Sequence, residues 1–249
     1  MSGSTTVRRG ELPAALFVYS AALAFFLLVP PFLTAGVGPP AGFTWQEALD
    51  IVAPLVVLPL AWLAFDAAGG LGRAGNVLFI VAAAAWVEAH GIHLASNAIG
   101  DVFQAGPVRD AFYATPAGDL DHWLDEVLSH WVWHLAWIAI SMLIIAAATR
   151  SRGARHEHFS ATAATAGLLQ GLVFFVVTVE GSTAALGIPW SIALLAWGLV
   201  ASSRGLARRP VATFFLVTAV VTLAGYVGWA ALNDWTLPEF TKSGLSLQP

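Results

Sequence analysis

The sequence predicts an all-α integral membrane bundle of about seven transmembrane helices, N-terminus inside and C-terminus outside, and three observations carry that prediction. The 249 residues are 58% hydrophobic and only 10% charged, with a mean hydropathy of +0.75, far too apolar for a soluble domain. The apolar residues come in runs of about 20, the length that crosses a hydrocarbon core of ~30 Å. Short linkers rich in Gly, Pro and Arg separate the runs.

The first run, Leu12 to Ala35, is expected to stay in the mature chain. It is long, carries Pro30-Pro31 late, and has no small-residue cleavage site ahead of a soluble domain. The second run spans Glu47 to Ala67 and the third Gly75 to Ile99. The fourth covers His122 to Thr149, the fifth Ser160 to Glu180, the sixth Ala184 to Ser202 and the seventh Val211 to Leu232. The longest piece between runs, Gly100 to Asp121, is too short for a core of its own, so residues 1–249 read as one polytopic domain.

Lys and Arg in short loops stay on the cytoplasmic side. Arg8, Arg9, Arg73, Arg150, Arg152, Arg155, Arg204, Arg208 and Arg209 all fall on one side of a seven-span arrangement, and only Arg109 and Lys242 on the other. The acids collect in the outer loops, among them Asp101, Asp110, Asp119, Asp121, Asp234 and Glu239. An anionic outer face gives no footing for nucleic acid, and the lipid bilayer is the expected partner. The chain has no Cys, which excludes a disulfide framework, a thiolate metal site and a c-type haem attachment.

Chemistry concentrates in two stretches, Glu88 to Asn97 and His122 to His134. An ionisable group in lipid costs at least ~2.5 kcal/mol on insertion scales, so several imidazoles there need a compensating partner. The two stretches sit on consecutive antiparallel spans. At 1.5 Å per residue His93 and His90 lie ~9 to 14 Å below the outer end of the third span, and His130 and His134 ~12 to 18 Å below the start of the fourth. Four imidazoles in one layer, spaced His-x-x-His and His-x-x-x-His, predict a metal site formed by His90, His93, His130 and His134.

Helical phase refines the set. At 100° per residue His122, Glu126, His130 and His134 form one slowly turning stripe, and His90, His93 and Asn97 form another. Glu88 points away from His90 unless Gly91 distorts the helix, and His122 falls at the interface; both are placed with Asn97 around the ligands, not among them. His156 and His158 are expected to be solvated. Glu126 reads as a general base, a ligand or an ion-pair partner of His130. Glu180, at the outer end of the fifth span, is the second candidate for an acid–base role. Trp45, Trp123, Trp190 and Trp235 read as interfacial belts, and Trp86, Trp131, Trp133 and Trp137 as deeper packing or pocket wall.

Nitrogen and oxygen ligands suit zinc first, with iron or copper next and a haem ligated from two helices last. Zinc with three His and a water predicts a membrane hydrolase acting on a lipid-like or other membrane-soluble molecule. Iron or copper predicts a membrane oxidoreductase, and an outward ion-capturing or transport protein is the remaining alternative. The His-x-x-x-His pair with a distant His resembles, in ligand arithmetic alone, adiponectin-receptor-type membrane hydrolases and alkaline ceramidases. There the pair stands late in the chain, whereas here it stands on the fourth span, so no fold or substrate is carried over. The His-x-x-His-His box of membrane desaturases is absent. So is the last-helix Lys of microbial rhodopsins, since the only Lys is Lys242. Nothing in the sequence specifies an oligomer.

Overall fold

A computed structural model describes residues 11–37, 43–102, 107–150, 160–203 and 209–243. Helix α1 spans Glu11–Leu28 and ends in a 3-10 turn at Pro30–Phe32; α2 spans Trp45–Ala67 and α3 Gly72–Val102. Two short helices follow, α4 (Pro107–Tyr113) and α5 (Pro116–Trp123), then a π-turn at Leu124–Ser129 that runs into α6 (His130–Arg150). The chain continues with α7 (Ala161–Glu180), α8 (Ala184–Ser203) and α9 (Pro210–Leu232). Among the described residues there are 7 helices long and apolar enough to cross a membrane, the fourth running unbroken from Pro116 to Arg150. No strand occurs among them beyond one isolated bridge, Gly36 to Thr44. Arg8, Arg9, Arg152, Arg155, Arg204, Arg208, His156 and His158 lie outside the described residues.

Local chemistry sets the boundaries. Thr44 caps α2 in a capping box, its side chain accepting from Gln46 N while Glu47 reaches back to the Thr44 N–H at 2.6 Å. Glu47, an acid at the expected membrane surface, is consumed in that cap. Gly69, Gly70 and Gly72 turn the chain between α2 and α3 at φ 115°, 55° and 71°, a left-handed run that a side chain would oppose. Thr115 caps α5 through Gly118 N, with Pro116 in the first turn where its missing N–H costs nothing. The third span starts earlier and ends later than the expected Gly75 to Ile99. The fourth starts at Pro116 rather than His122, because the cap and proline extend it into the loop.

Packing follows the small residues. On α7, a Cβ at Gly167 would lie 2.4 Å from Phe214 O and one at Gly171 2.7 Å from Thr218 O, so α9 approaches backbone to backbone. The Thr218 and Thr222 hydroxyls donate across this contact to the Gly167 and Gly171 carbonyls at 3.2 and 3.0 Å. Helix α7 also packs on α1, α1 on α2, α8 on α9, and α3 antiparallel on α6. The interior is aromatic, with Phe65, Trp86, Trp137, Phe214 and Phe215 fully enclosed. The exterior is equally apolar: Leu55 is 72% exposed and Ile80 62%, an outside that fits a bilayer and would not suit water. Arg73, Arg150 and Arg209 lie at one end of the bundle, where Arg209 donates to the Ala148 carbonyl at 2.9 Å; Arg109 and Lys242 lie at the other, the histidine end.

Candidate functional site

Trp133 of α6 is the hub of the histidine end. Its ring lies 5.0 Å from His90, 6.1 Å from His93, 5.7 Å from His134 and 5.3 Å from Trp86 between centroids. His93 and His130 face each other across the α3–α6 contact at 4.9 Å, and the His130 and His134 rings lie parallel at 6.1 Å. The four imidazoles expected at one depth are therefore one cluster, with His90 and His134 buried.

Each ring is fixed by one of its nitrogens. His90 Nε2–H donates to the Asp50 carbonyl at 2.8 Å, which leaves Nδ1 as the bare lone pair. His130 Nδ1–H donates to the Glu126 carbonyl at 3.2 Å, leaving Nε2. Thr183 donates its own proton to the Thr178 carbonyl and so accepts from His134 Nδ1–H at 2.5 Å, again leaving Nε2. His93 sets Nδ1 2.7 Å from an Asp125 carboxylate oxygen and receives the Asn97 amide on Nε2 at 3.0 Å. His90 Nδ1 and His134 Nε2 are buried without a hydrogen-bond partner.

The π-turn produces part of this arrangement. A widened turn inserts one residue, which rotates the helix before it by about 100° relative to the helix after it. The carbonyls it frees are taken by side chains: Ser129 donates to Asp125 and His130 to Glu126. The regular stripe expected from His122 through His134 is thereby broken. His122 turns out to the surface, 6.4 Å from the Tyr113 ring, and lines a separate cavity with Arg109, Asp119 and Lys242. His130 bonds the backbone of Glu126, not its carboxylate. Asp125 takes the position against His93 that regular phase denies it.

The main cavity at the cluster, about 390 Å³ against about 460 Å³ for the one beside His122, is lined by His90, His93, His130, Trp133, Glu126 and Asp50, among others. Glu126 borders both cavities, and among the described residues its carboxylate has no hydrogen-bond partner. Glu180 also borders the main cavity, but both of its oxygens are occupied: one accepts from Phe240 N at 2.8 Å, the other from the Thr241 hydroxyl at 2.7 Å. It holds the C-terminal tail in the cavity wall. Glu239 continues the same strap, accepting from Ser182 and Lys242, each at 2.6 Å, and that hydrogen bond raises the pKa of the Lys242 ammonium. Glu88 is exposed on the outer face of α3, where regular phase sends it, and Asn97 places its amide on His93 Nε2. Trp86, Trp133 and Trp137 are buried, whereas Trp131, Trp45, Trp123 and Trp235 are exposed.

Sequence reasoning missed Asp125, the Asp50 carbonyl, Thr183 and the tail residues Glu239 to Thr241. Asp125 adjoins Glu126 in the sequence, yet only the inserted residue of the π-turn aims it at His93. Thr183 and the tail carry no sequence signal, since their partners lie 49 and 60 positions away. Among the described residues, no three His, Asp or Glu side chains stand close enough to hold one metal ion in their present rotamers. No protein-family model matches the chain, and neither a curated protein nor a solved structure gives a significant match.

The arrangement offers bare nitrogen lone pairs on three rings, a carboxylate against the fourth, and a free carboxylate at the cavity wall. These are the elements of metal ligation and of proton transfer at a bound molecule.

Proposed function

We propose that this chain is a metal-dependent integral membrane enzyme, its site at the imidazole cluster around Trp133 and opening to the extracytoplasmic side. The observation that supports it is the hydrogen-bonding state of the rings. A metal-binding His donates its other N–H to a carbonyl, carboxylate or similar acceptor, which fixes the tautomer and the ring plane. His90, His130 and His134 do this through Asp50, Glu126 and Thr183, each keeping its other nitrogen bare, while His93 stands with Nδ1 2.7 Å from Asp125 and its Nε2 taken by the Asn97 amide. Imidazoles sharing one ion have centroids about 5 to 6 Å apart, and the His93–His130 and His130–His134 spacings of 4.9 and 6.1 Å match that range. The extracytoplasmic placement rests on the basic residues gathered at the opposite end of the bundle.

Zinc is the favoured ion, and hydrolysis of a membrane-soluble, lipid-like molecule the favoured reaction. An ion held by the bare imidazole nitrogens would supply an activated water for attack on an acyl group. Glu126 takes the water's proton and passes it to the leaving group. Asp50 and Glu126 line the cavity and Asp125 stands 2.7 Å from His93, a carboxylate supply that makes a di-iron oxidoreductase the second reading.

The test is elemental analysis and visible absorption of the full chain purified into lipid nanodiscs. One transition-metal ion or a pair per chain is expected, with loss in His130→Ala and a 10- to 100-fold weaker affinity in Asp125→Asn. Zinc gives no visible band and haem an intense Soret band. A folded, His130-intact preparation that stays metal-free after incubation with zinc, iron and copper overturns the proposal.

A further inference from the structure

The main cavity has two unlike halves. One presents His93, His130 and Glu126; the other, from the ends of α1 and α7, presents Leu27, Val176 and Val177 with Pro30 and Pro31. Two consecutive prolines carry no N–H, so that wall offers a ligand no donor. Near the hydrocarbon half Glu180 has both oxygens engaged, by Phe240 N and Thr241, and Glu239 accepts from Ser182 and Lys242 on one oxygen. The histidine side gathers His93, His130, Glu126 and Asp50, so the lining's polarity is concentrated there. Phe240 adds an aromatic face to the lining, held 5.8 Å from the Phe175 ring and 4.6 Å from Trp229. The volume of about 390 Å³ lies at the lower end of the ~300–1,000 Å³ typical of small-molecule pockets. A wholly polar occupant would strip its hydration against Leu27, Val176 and Val177 without compensation. A two-chain lipid is several times too large.

We propose that this cavity binds a single-chain amphiphile, its polar end at His93 and His130 and its chain along Leu27, Val176, Val177 and Phe240. The proposal names the substrate class of the enzyme reading and rests on it for what happens to the molecule once bound; the binding itself needs no metal.

Because the chain lacks Cys, a single Val177→Cys reports on the cavity. Its rate of labelling by a maleimide is measured in nanodiscs with butanoate, hexanoate or decanoate at matched membrane concentration. A control Cys at Val220, on the exposed apolar face, corrects for effects on the bilayer. Decanoate is expected to slow Val177→Cys labelling about tenfold, equivalent to ~1.4 kcal/mol, and butanoate to leave it unchanged. Leu27→Trp, which fills the chain's space, abolishes the protection, and the milder Leu27→Ala moves the optimum to a longer acid. Equal protection by all three acids, or decanoate protection that survives Leu27→Trp, overturns the proposal. So does the absence of any protection in a folded Val177→Cys protein. The same experiment on chelator-treated protein separates the two readings: protection without metal in any preparation removes the enzyme and keeps the pocket, and bound metal without protection does the reverse.

Discussion

Thr183→Val isolates the contact that holds His134. The substitution keeps the side-chain shape and removes the one hydroxyl within reach of His134 Nδ1, at 2.5 Å, on a ring that is 0% exposed. A neutral imidazole carries one N–H, and shifting it to the other nitrogen does not help, because His134 Nε2 also has no protein partner. The variant therefore buries an unsatisfied donor whichever tautomer forms, at a cost of about 1–3 kcal/mol. The lost donation from Thr183 to the Thr178 carbonyl adds little, since that bond is 3.4 Å long. Reversible unfolding by SDS titration in mixed micelles measures the difference, with Thr183→Ser, which retains a hydroxyl, as the reference. The expected order is wild type close to Thr183→Ser, and Thr183→Val lower by at least ~1 kcal/mol. Metal affinity, measured on the same samples, should fall 10- to 100-fold in Thr183→Val alone. If Thr183→Val is as stable as Thr183→Ser, the hydroxyl does not satisfy His134, and the tautomer assigned to that ring is refuted.

Glu180→Gln should loosen the tail without unfolding the bundle. An amide oxygen still accepts one of the two bonds from Phe240 N and Thr241, but the charge is gone, a loss of ~1 kcal/mol or more. Lys242 is the only Lys in the chain, and tryptic cleavage after it, followed by mass spectrometry, should accelerate about fivefold; an unchanged rate means that Glu180 does not anchor the strap. Gly171→Val tests the α7–α9 contact. Its Cβ would meet Thr218 O at 2.7 Å and the Val221 side chain at 2.8 Å, so the helices must separate and a loss of about 1–3 kcal/mol or more is expected in the same SDS titration. Gly91 on α3, where an added Cβ meets nothing within 4 Å, should accept Ala without loss.

Much of the candidate site was legible because it depends on local spacing. His90 and His93 share a face of α3, His130 and His134 share a face of α6, and consecutive spans cross in opposite directions, so matched depth follows from the rise per residue. Asn97 was legible for the same reason, one turn from His93. His122 was misplaced on the His130 stripe because its position relative to His130 depends on the turn between them, and a π-turn stores its extra residue with no change in composition. Glu180 was legible as a polar residue at the cavity. Its task was not, because the atoms that occupy it belong to a tail 60 residues away.

Hydropathy and charge order, which depend on composition along the chain and on nothing beyond it, were enough to determine seven apolar helices and the end at which the histidines gather. Tertiary structure alone decided which nitrogen of His90, His130 and His134 is left bare, that Asp125 rather than Glu126 meets His93, and that the tail forms part of the cavity wall. Those outcomes turn on the phase of one π-turn and on contacts between distant segments. A shift of one residue or a few ångströms there reverses which atoms meet, while every hydrophobic run remains as it was.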